Sequence, residues 1–307
     1  MLLVSLIQWV HAWGVLNWVA LYALLALGLA PMCDYPWELP GVAFCLTYVA
    51  TTAVTEYVAR GCKPLFEEWT LAFEVVRAVS RYISSVYAHH AVSPRNARFL
   101  RLQTEVVGTI LGTFACWQHC VEAEYFKYNG LEHVWLQPRK RPQPNAAKPR
   151  TRCVVLYFHG GGYTTLSPRY YVSSTSELLV RIQSQLDQIL PSGAVDVAFL
   201  VANYRKAPEH PYPTPPNDAH TMYRYLLDVE GVAPQNILLV GDSAGAGLSL
   251  ATLMRVRDSN PAELPCGAVF SSPFVDLEMR GDERSTPYCV LAGRIVDISC
   301  NILEIED

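Results

Sequence analysis

Histidine is missing from the last part of this 307-residue chain, and charged residues are few throughout. The last of its eight histidines is His220, and Asp, Glu, Lys and Arg together make up 17% of the residues. The formal net charge of −4 offers no basic surface, so nucleic acid is not an expected partner. The nine cysteines are odd in number and show no paired spacing, which argues against a disulfide framework.

Charge is completely absent at the N-terminus. From Met1 to Cys33 there is no Asp, Glu, Lys or Arg, and Trp9 and Trp13 lie near one end. A membrane-spanning helix needs about 20 mostly apolar residues, and aromatic residues are typical of its interfaces. The stretch is too long for a signal peptide and lacks the basic start of one. It therefore predicts a membrane anchor, with a cleaved signal peptide and a core helix as the alternatives.

A second uncharged stretch, Leu39 to Thr55, is shorter. Segments near this length are more often interfacial or buried, so one span and two spans both stay open. If both stretches cross, Arg60 and Lys63 place the following residues in the cytosol, whereas a single span leaves the orientation open. We assign residues 1–62 to a membrane anchor region, and expect the protein in a membrane, that of the endoplasmic reticulum.

Residues 63–130 are predicted to form cap helices. Apolar residues recur at helical spacing within 64–90, and Pro94, which Ser93 would cap, begins a second helix. Cys116 and Cys120 share a face of that helix with His119, but no fourth ligand accompanies them, so no metal site is expected. The chain has no phosphate-binding glycine motif, and we expect no cofactor.

Short apolar runs alternate with helical patterns in residues 131–307. The runs are Cys153–Phe158, Val197–Asn203, Ile237–Val240 and Ala268–Phe270, and the helical stretches are Ser174–Leu190, Asp218–Leu227 and Ala244–Arg257. Continuous apolar runs of this length are typical of strands buried on both faces of a parallel sheet. Their alternation with helices predicts right-handed crossovers and a three-layer α/β domain.

The candidate nucleophile is Ser243. The segment Gly-Asp-Ser-Ala-Gly at 241–245 has the G-x-S-x-G form, a tight strand-to-helix turn that presents a serine hydroxyl at the edge of a sheet. The amide of Ala244, at the start of the next helix, would point toward the reacting oxygen. The alternative is an ordinary turn in which Ser243 only caps the helix.

A glycine-rich loop follows the first apolar run. His159 is followed by three glycines, and a chain without Cβ atoms can approach a substrate closely. We expect the amides of Gly160 and Gly161 to stabilise an oxyanion together with that of Ala244. A lone G-x-S-x-G motif is a weak signal, but this loop, the preceding strand and the following helix make the combination specific.

Four segments resemble a known family. H-G-G-G-Y at 159–163, Y-R-K-A-P-E-H-P-Y-P at 204–213, G-D-S-A-G at 241–245 and S-S-P-F-V-D-L at 271–277 are similar to the hormone-sensitive-lipase-like group of α/β-hydrolases. The resemblance spans roughly residues 64–277, and the helical part looks like fungal members.

This resemblance implies a serine ester hydrolase of the esterase, lipase or deacetylase type, acting on a small apolar ester or lipid. It implies Ser243 as the nucleophile, with Gly160, Gly161 and Ala244 as oxyanion donors. The expected fold is an α/β-hydrolase sandwich over residues 131–307, preceded by the helical cap and the membrane helix. Arylacetamide and sterol-ester deacetylases of the group also carry an N-terminal anchor.

One feature departs from the family pattern. The acid and the histidine of the family follow two further strands, whereas only residues 244–307 follow Ser243 here, and they contain no histidine. Asp276, His159 and His210 are poor substitutes, because the matching positions in the family are structural. We therefore expect a sandwich that is incomplete at its C-terminus, from an incomplete gene model or splice product.

The missing histidine also bears on activity. Loss of the triad histidine removes about six decades of rate in a serine protease, so the chain as given is expected to be nearly inactive. Two functions stay open: a membrane-anchored serine ester hydrolase, and an inactive hydrolase-like protein that binds a lipid or a partner.

Overall fold

The structure is a computed structural model that describes residues 28–33, 35–86, 94–139, 151–190 and 195–275. The α-helices are α1 Leu39–Ala59, α2 Leu71–Val86, α3 Pro94–His119, α4 Pro168–Ile189, α5 Thr214–Asp228 and α6 Ala244–Ser259. Short 3-10 helices lie at Ala30–Met32, Pro36–Glu38, Pro234–Asn236 and Pro261–Glu263. The strands are β1 Val121–Tyr128, β2 Leu131–Pro138, β3 Thr151–Phe158, β4 Val195–Ala202, β5 Ile237–Asp242 and β6 Gly267–Ser271. The chain divides into two compact units, Met1–Ala91 and Val92–Asp307.

The second unit is built on a mixed sheet with the strand order β1-β2-β4-β3-β5-β6. β1 and β2 form an antiparallel hairpin, and β2 runs antiparallel to β4. The other four strands are parallel to one another, with Phe158 of β3 opposite Gly241 of β5. Because parallel strands end at the same edge, the segments that follow β3 and β5 meet there, where α/β sheets bind ligands.

The core lies on both faces of this sheet. Successive residues of β4 alternate between two clusters: Val197, Phe199 and Val201 join one, while Ala198, Leu200 and Ala202 join the other. This is the period of two expected for a strand that is buried on both faces. The first cluster includes Val172 and Leu179 of α4, and the second includes residues of α5 and α6, which gives three layers.

Two glycines set the packing of α3 on α4. A Cβ on Gly108 would lie 2.5 Å from the Cα and N atoms of Tyr170, and one on Gly112 would lie 2.9 Å from the Val172 side chain. The two helix backbones are therefore in direct contact at this crossing. Arg169 adds a bidentate pair to Glu132 of β2, with Nε–Oε1 2.6 Å and Nη2–Oε2 2.9 Å.

The four predicted strands and three predicted crossover helices of the sheet are confirmed, with ends that differ by a few residues. The hairpin of β1 and β2 was not predicted. β1 carries Glu122, Glu124 and Lys127 and alternates in burial, so it lacks the continuous apolar run that identified the other strands.

The expected boundary at residue 130 also differs from the fold, since the sheet begins at Val121 and α3 belongs to the same unit as the sheet. The helix expected within 64–90 is present as α2, which begins at Leu71 and not near residue 64. Residues 87–93, Ser93 among them, lie outside the described residues.

The first unit contains α1, which is long and apolar enough to cross a membrane by length and composition. Only 11% of its most apolar segment is buried. The core helix of a soluble protein or a signal sequence can also meet the criterion of length and composition. The buried carboxylate of Glu74 on α2 pairs with Arg60 and accepts the Leu65 amide at 2.8 Å. The first expected anchor covers residues 1–33, and the structure describes only residues 28–33 of it.

Candidate active site

Ser243 occupies the sharp turn between β5 and α6. Its backbone has φ 51° and ψ −116°, in a region that non-glycine residues rarely adopt. Strained backbone of this kind costs of order 1–3 kcal/mol and persists only where surrounding structure enforces it. The turn therefore needs specific support from its neighbours.

The flanking glycines provide the space for that turn. A Cβ on Gly245 would overlap the carbonyl of Phe158 at the end of β3, and one on Gly241 would overlap the Gly245 carbonyl. The N-terminus of α6 is therefore in direct backbone contact with β3 and β5. This close approach is the physical reason for the two glycines of the G-x-S-x-G motif.

Backbone hydrogen bonds fix the turn from the other side. The Ser243 amide donates to the Ser271 carbonyl at 2.8 Å, and the Ser243 carbonyl accepts the Phe274 amide at 3.0 Å. Tyr163, just after the glycine loop, donates its hydroxyl to the Phe274 carbonyl at 3.1 Å. The segment after β6 therefore holds the turn and the loop together.

The amide of Ala244 is available at the start of α6. Ala244 is buried, and its N–H has no hydrogen-bond acceptor among the described residues, as is usual in the first turn of a helix. Such amides, together with the helix dipole, favour negative charge. The side chain of Ser243 is half-buried beside it.

Gly160 differs from the sequence-based expectation. Its buried amide donates to Asp242 Oδ1 and to the Tyr171 hydroxyl, each at 3.1 Å, so it is not a free donor for an oxyanion. The amides of Gly161 and Gly162 have no acceptor among the residues that the structure describes. The correction follows from Asp242, whose carboxylate reaches the first glycine of the loop.

The carbonyl of Gly160 is held as well. His159 donates its Nδ1 hydrogen to that oxygen at 2.7 Å, and the Tyr204 hydroxyl lies 2.9 Å from the His159 carbonyl and 3.4 Å from that of Gly160. In a trans peptide the N–H points away from the C=O. The direction of the Gly161 amide is therefore fixed by the bonds to the Gly160 carbonyl.

His159 supports the loop as a neutral ring. It is fully buried, its ring stacks on Tyr204 with centroids 4.6 Å apart, and burial lowers its pKa to about 3. Nearby Lys206 is also buried, which lowers the pKa of its amine to about 7. Its Nζ donates to Asn203 Oδ1 at 2.6 Å and to the Tyr204 carbonyl at 3.0 Å.

A cluster of charges on α3 contacts the same region. Arg101 donates to the carbonyls of Thr164 at 2.8 Å and Ala207 at 3.1 Å, and pairs with Glu209 at 2.7 Å. The pairing with Arg101 lowers the pKa of Glu209 to about 2. The segment at 204–213 therefore ties α3 to the residues that follow the glycine loop.

Sequence reasoning missed Asp242 and its partners. Tyr157 donates to Asp242 Oδ1 at 3.0 Å, and Tyr171 donates to Oδ2 at 2.8 Å. Burial, and then the Asp242 charge, raise the pKa of both phenols, which stay protonated. The only available signal was the position of an acidic residue directly before Ser243.

Two further expectations concern other residues. Within the described ranges, no group of three or more His, Cys, Asp or Glu side chains is placed to hold a metal ion. Asp276 lies outside the described residues, and the described contact of His210 is its amide bond to the Lys206 carbonyl at 3.0 Å.

Known proteins match much of this chain. A family model described as the α/β hydrolase fold matches residues 155–298. An acetyl-hydrolase of Streptomyces hygroscopicus is 38% identical over 132 residues, which are 43% of this chain and 39% of the relative. The putative acetyl-hydrolase LipR of Mycobacterium tuberculosis is 28% identical over 73% of this chain and 56% of its own length. The chain thus spans roughly two fifths to just over half of these relatives.

Solved structures give similar matches. An esterase from the bacterial hormone-sensitive lipase family is 30% identical, with a TM-score of 0.42, over 58% of this chain and 53% of that one.

Proposed function

Since the chain belongs to the α/β-hydrolase superfamily, in its hormone-sensitive-lipase-like group, we propose that it is a serine carboxylester hydrolase with Ser243 as the nucleophile. One observation carries the proposal: Ser243 lies at a strained turn between β5 and α6, directly beside the Ala244 amide, which has no acceptor among the described residues. An ordinary N-cap serine does not need positive φ, because the N-cap residue normally has extended backbone.

The reaction is an acyl transfer in two steps. The Ser243 oxygen attacks the acyl carbon of the ester, the bond to the alcohol oxygen breaks, and the alcohol leaves with a proton. Water then attacks the acyl-serine, which releases the acid and restores the hydroxyl. A general base must take the serine proton, and no described residue is hydrogen-bonded to the Ser243 hydroxyl.

The negative oxygen formed in each step needs backbone donors. We assign this role to the amides of Ala244 and Gly161, and to that of Gly162 in place of Gly160, whose amide is bound to Asp242. Donors of this kind each contribute about 10²–10³ in rate in a serine protease. The glycine loop can supply them because His159 and Tyr204 hold its peptide groups in fixed directions.

The substrate class rests on the relatives. Their names include acetyl-hydrolase, esterase and carboxylesterase/phospholipase, which supports a small apolar ester or a lipid as substrate. We further propose that residues 1–62 anchor the protein in a membrane, that of the endoplasmic reticulum. The support for this anchor is the uncharged N-terminal stretch together with exposed, apolar α1.

A fluorophosphonate probe tests the nucleophile, because a serine whose oxyanion donors are in place attacks its phosphorus and keeps the covalent adduct. Since no histidine follows His220, we expect the full chain to be labelled slowly, and Ser243→Ala to lose the label. Ser271→Ala is the matched control, since the hydrogen bond of Ser271 to the Ser243 amide uses its backbone carbonyl, which the substitution keeps. Labelling that survives in Ser243→Ala, or a chain that does not react at all, would contradict the proposal.

A further inference from the structure

The carboxylate of Asp242 has no part in the reaction proposed above, yet it lies next to the nucleophile. Its oxygens accept hydrogen bonds from Tyr157 of β3, from Tyr171 of α4 and from the amide of Gly160. The three donors come from a strand, a helix and the glycine loop. Asp242 thus joins the end of β5 to all three.

We propose that Asp242 is a positioning residue that holds the glycine loop in place opposite Ser243 through the amide of Gly160. The inference rests on the proposed function, because the next amides of that loop are the assigned oxyanion donors. A displacement of about 1 Å in such a group can cost about 10²-fold in rate.

Packing explains why the contact is so direct. A Cβ on Gly160 would overlap Asp242 Oδ2, so only glycine allows the carboxylate to lie against the loop. Gly160 is buried, and its amide has no solvent to replace a lost carboxylate. When Asp242 is removed, this amide keeps only its contact with the Tyr171 hydroxyl, and the hydroxyls of Tyr157 and Tyr171 lose the acceptor that fixes them. An unsatisfied buried polar group costs about 1–3 kcal/mol, which favours rearrangement of the loop.

The hydrogen bonds of Asp242 favour a positioning role for its carboxylate over a role in proton transfer. Oδ1 already accepts two hydrogen bonds and Oδ2 accepts one, and all three come from groups that remain protonated. An asparagine at this position still offers one oxygen to Tyr157 and Gly160, and its amide can donate to the Tyr171 oxygen. The Asn variant therefore keeps the geometry and removes the charge.

The first test compares the rate of fluorophosphonate labelling in two variants of the full chain. We expect Asp242→Ala to react about 10- to 100-fold more slowly, and Asp242→Asn to stay within about threefold of the unmodified chain at every pH. Glu74→Gln is the control, because Glu74 is another buried carboxylate that accepts a backbone amide. Equal losses in both Asp242 variants, or a changed pH profile in the Asn variant, would overturn the proposal.

The second test observes the Gly160 amide itself. The chain contains a single His-Gly pair, at 159–160, so ¹³C-carbonyl histidine with ¹⁵N-glycine labelling gives one amide–carbonyl NMR cross-peak. We expect this peak to move in Asp242→Ala and to stay near its position in Asp242→Asn and Ser243→Ala. Where Asp242→Ala does not fold, Tyr157→Phe removes a partner of Asp242 whose described hydrogen bond is to Asp242 and not to the Gly160 amide, and it should move the peak as well.

The two tests separate the possible failures. A chain that does not react with the probe, but whose cross-peak moves as expected, contradicts the proposed function and supports the positioning role. A cross-peak that stays in place in both Asp242→Ala and Tyr157→Phe contradicts the positioning role, whatever the reactivity.

Discussion

The turn at Ser243 is predictable from the sequence, whereas the contacts of its neighbour Asp242 are not. The turn at Ser243 follows from two glycines at fixed spacing, and each of them proves to be in contact with backbone. Asp242 could not be assigned in the same way. Its partners Tyr157 and Tyr171 lie 85 and 71 residues away in the chain, and only the fold brings them together.

The Gly160 result has the same cause. The three glycines of the loop are equivalent in sequence, and nothing in their order indicates which amide stays free. The difference arises from the carboxylate of Asp242, which reaches the first of them. The position of a donor motif is therefore predictable from sequence, whereas the direction of each amide is not.

Two buried histidines make stability depend on pH. Burial lowers the pKa of His133 to about 4 and that of His159 to about 3. His133 Nδ1 accepts the Asn203 amide, so the neutral ring is the one that the fold uses. As pH falls below about 6.5, the unfolded chain binds protons that the folded protein does not, and stability decreases.

We expect both neutral rings to make their full contribution to the free energy of unfolding above about pH 7. By pH 5 this free energy should be lower by on the order of 2 kcal/mol for each ring. Urea denaturation at pH 7, 6 and 5 measures this. Histidine NMR titration is the check on the cause: a ring resonance of His133 or His159 that titrates near pH 6.5 in the folded protein would be inconsistent with it.

At the scale of elements, strands with continuous apolar runs were predictable and the β1–β2 hairpin was not. β4 is buried on both faces, so almost every residue in it must be apolar. β1 lies at one edge of the sheet and is exposed at every second or third residue, so its glutamates are tolerated. The pattern of an edge strand is thus much closer to that of a loop or a helix.

The crossing of α3 and α4 gives a graded prediction. Gly108→Ala places a Cβ against the Tyr170 backbone, which cannot move without displacing α4, and should lower the free energy of unfolding by about 3 kcal/mol. Gly112→Ala meets only the Val172 side chain and should cost less, about 1–2 kcal/mol.

Chemical denaturation of both variants measures the difference. Thr113→Ala, at an exposed position of the same helix, is the control and should change stability by less than about 0.5 kcal/mol. Equal losses at the two glycines would mean that the helices do not cross as described.

For the whole molecule, the prediction concerns the membrane. We expect the full chain to stay in the membrane pellet after carbonate extraction, because the N-terminal stretch has no charged residue and α1 is apolar and exposed. Recovery in the carbonate supernatant would exclude an integral anchor.

The same membrane preparation can show which side of the membrane the second unit faces. The chain has no N-x-S/T acceptor, and Ala147→Thr creates one at Asn145. With two spans we expect no glycan, because the positive-inside tendency places this site in the cytosol. A glycan that is lost in the added Asn145→Gln variant would indicate a lumenal site.

The turn at Ser243 has a consequence for biosynthesis. Its amide and carbonyl are bonded to Ser271 and Phe274, about thirty residues further along the chain. A ribosome makes the chain from its N-terminus, so those bonds cannot form while residue 274 is still untranslated. The serine therefore acquires its strained shape only after residue 274 has been added, when β3, β4 and β5 have already been synthesised.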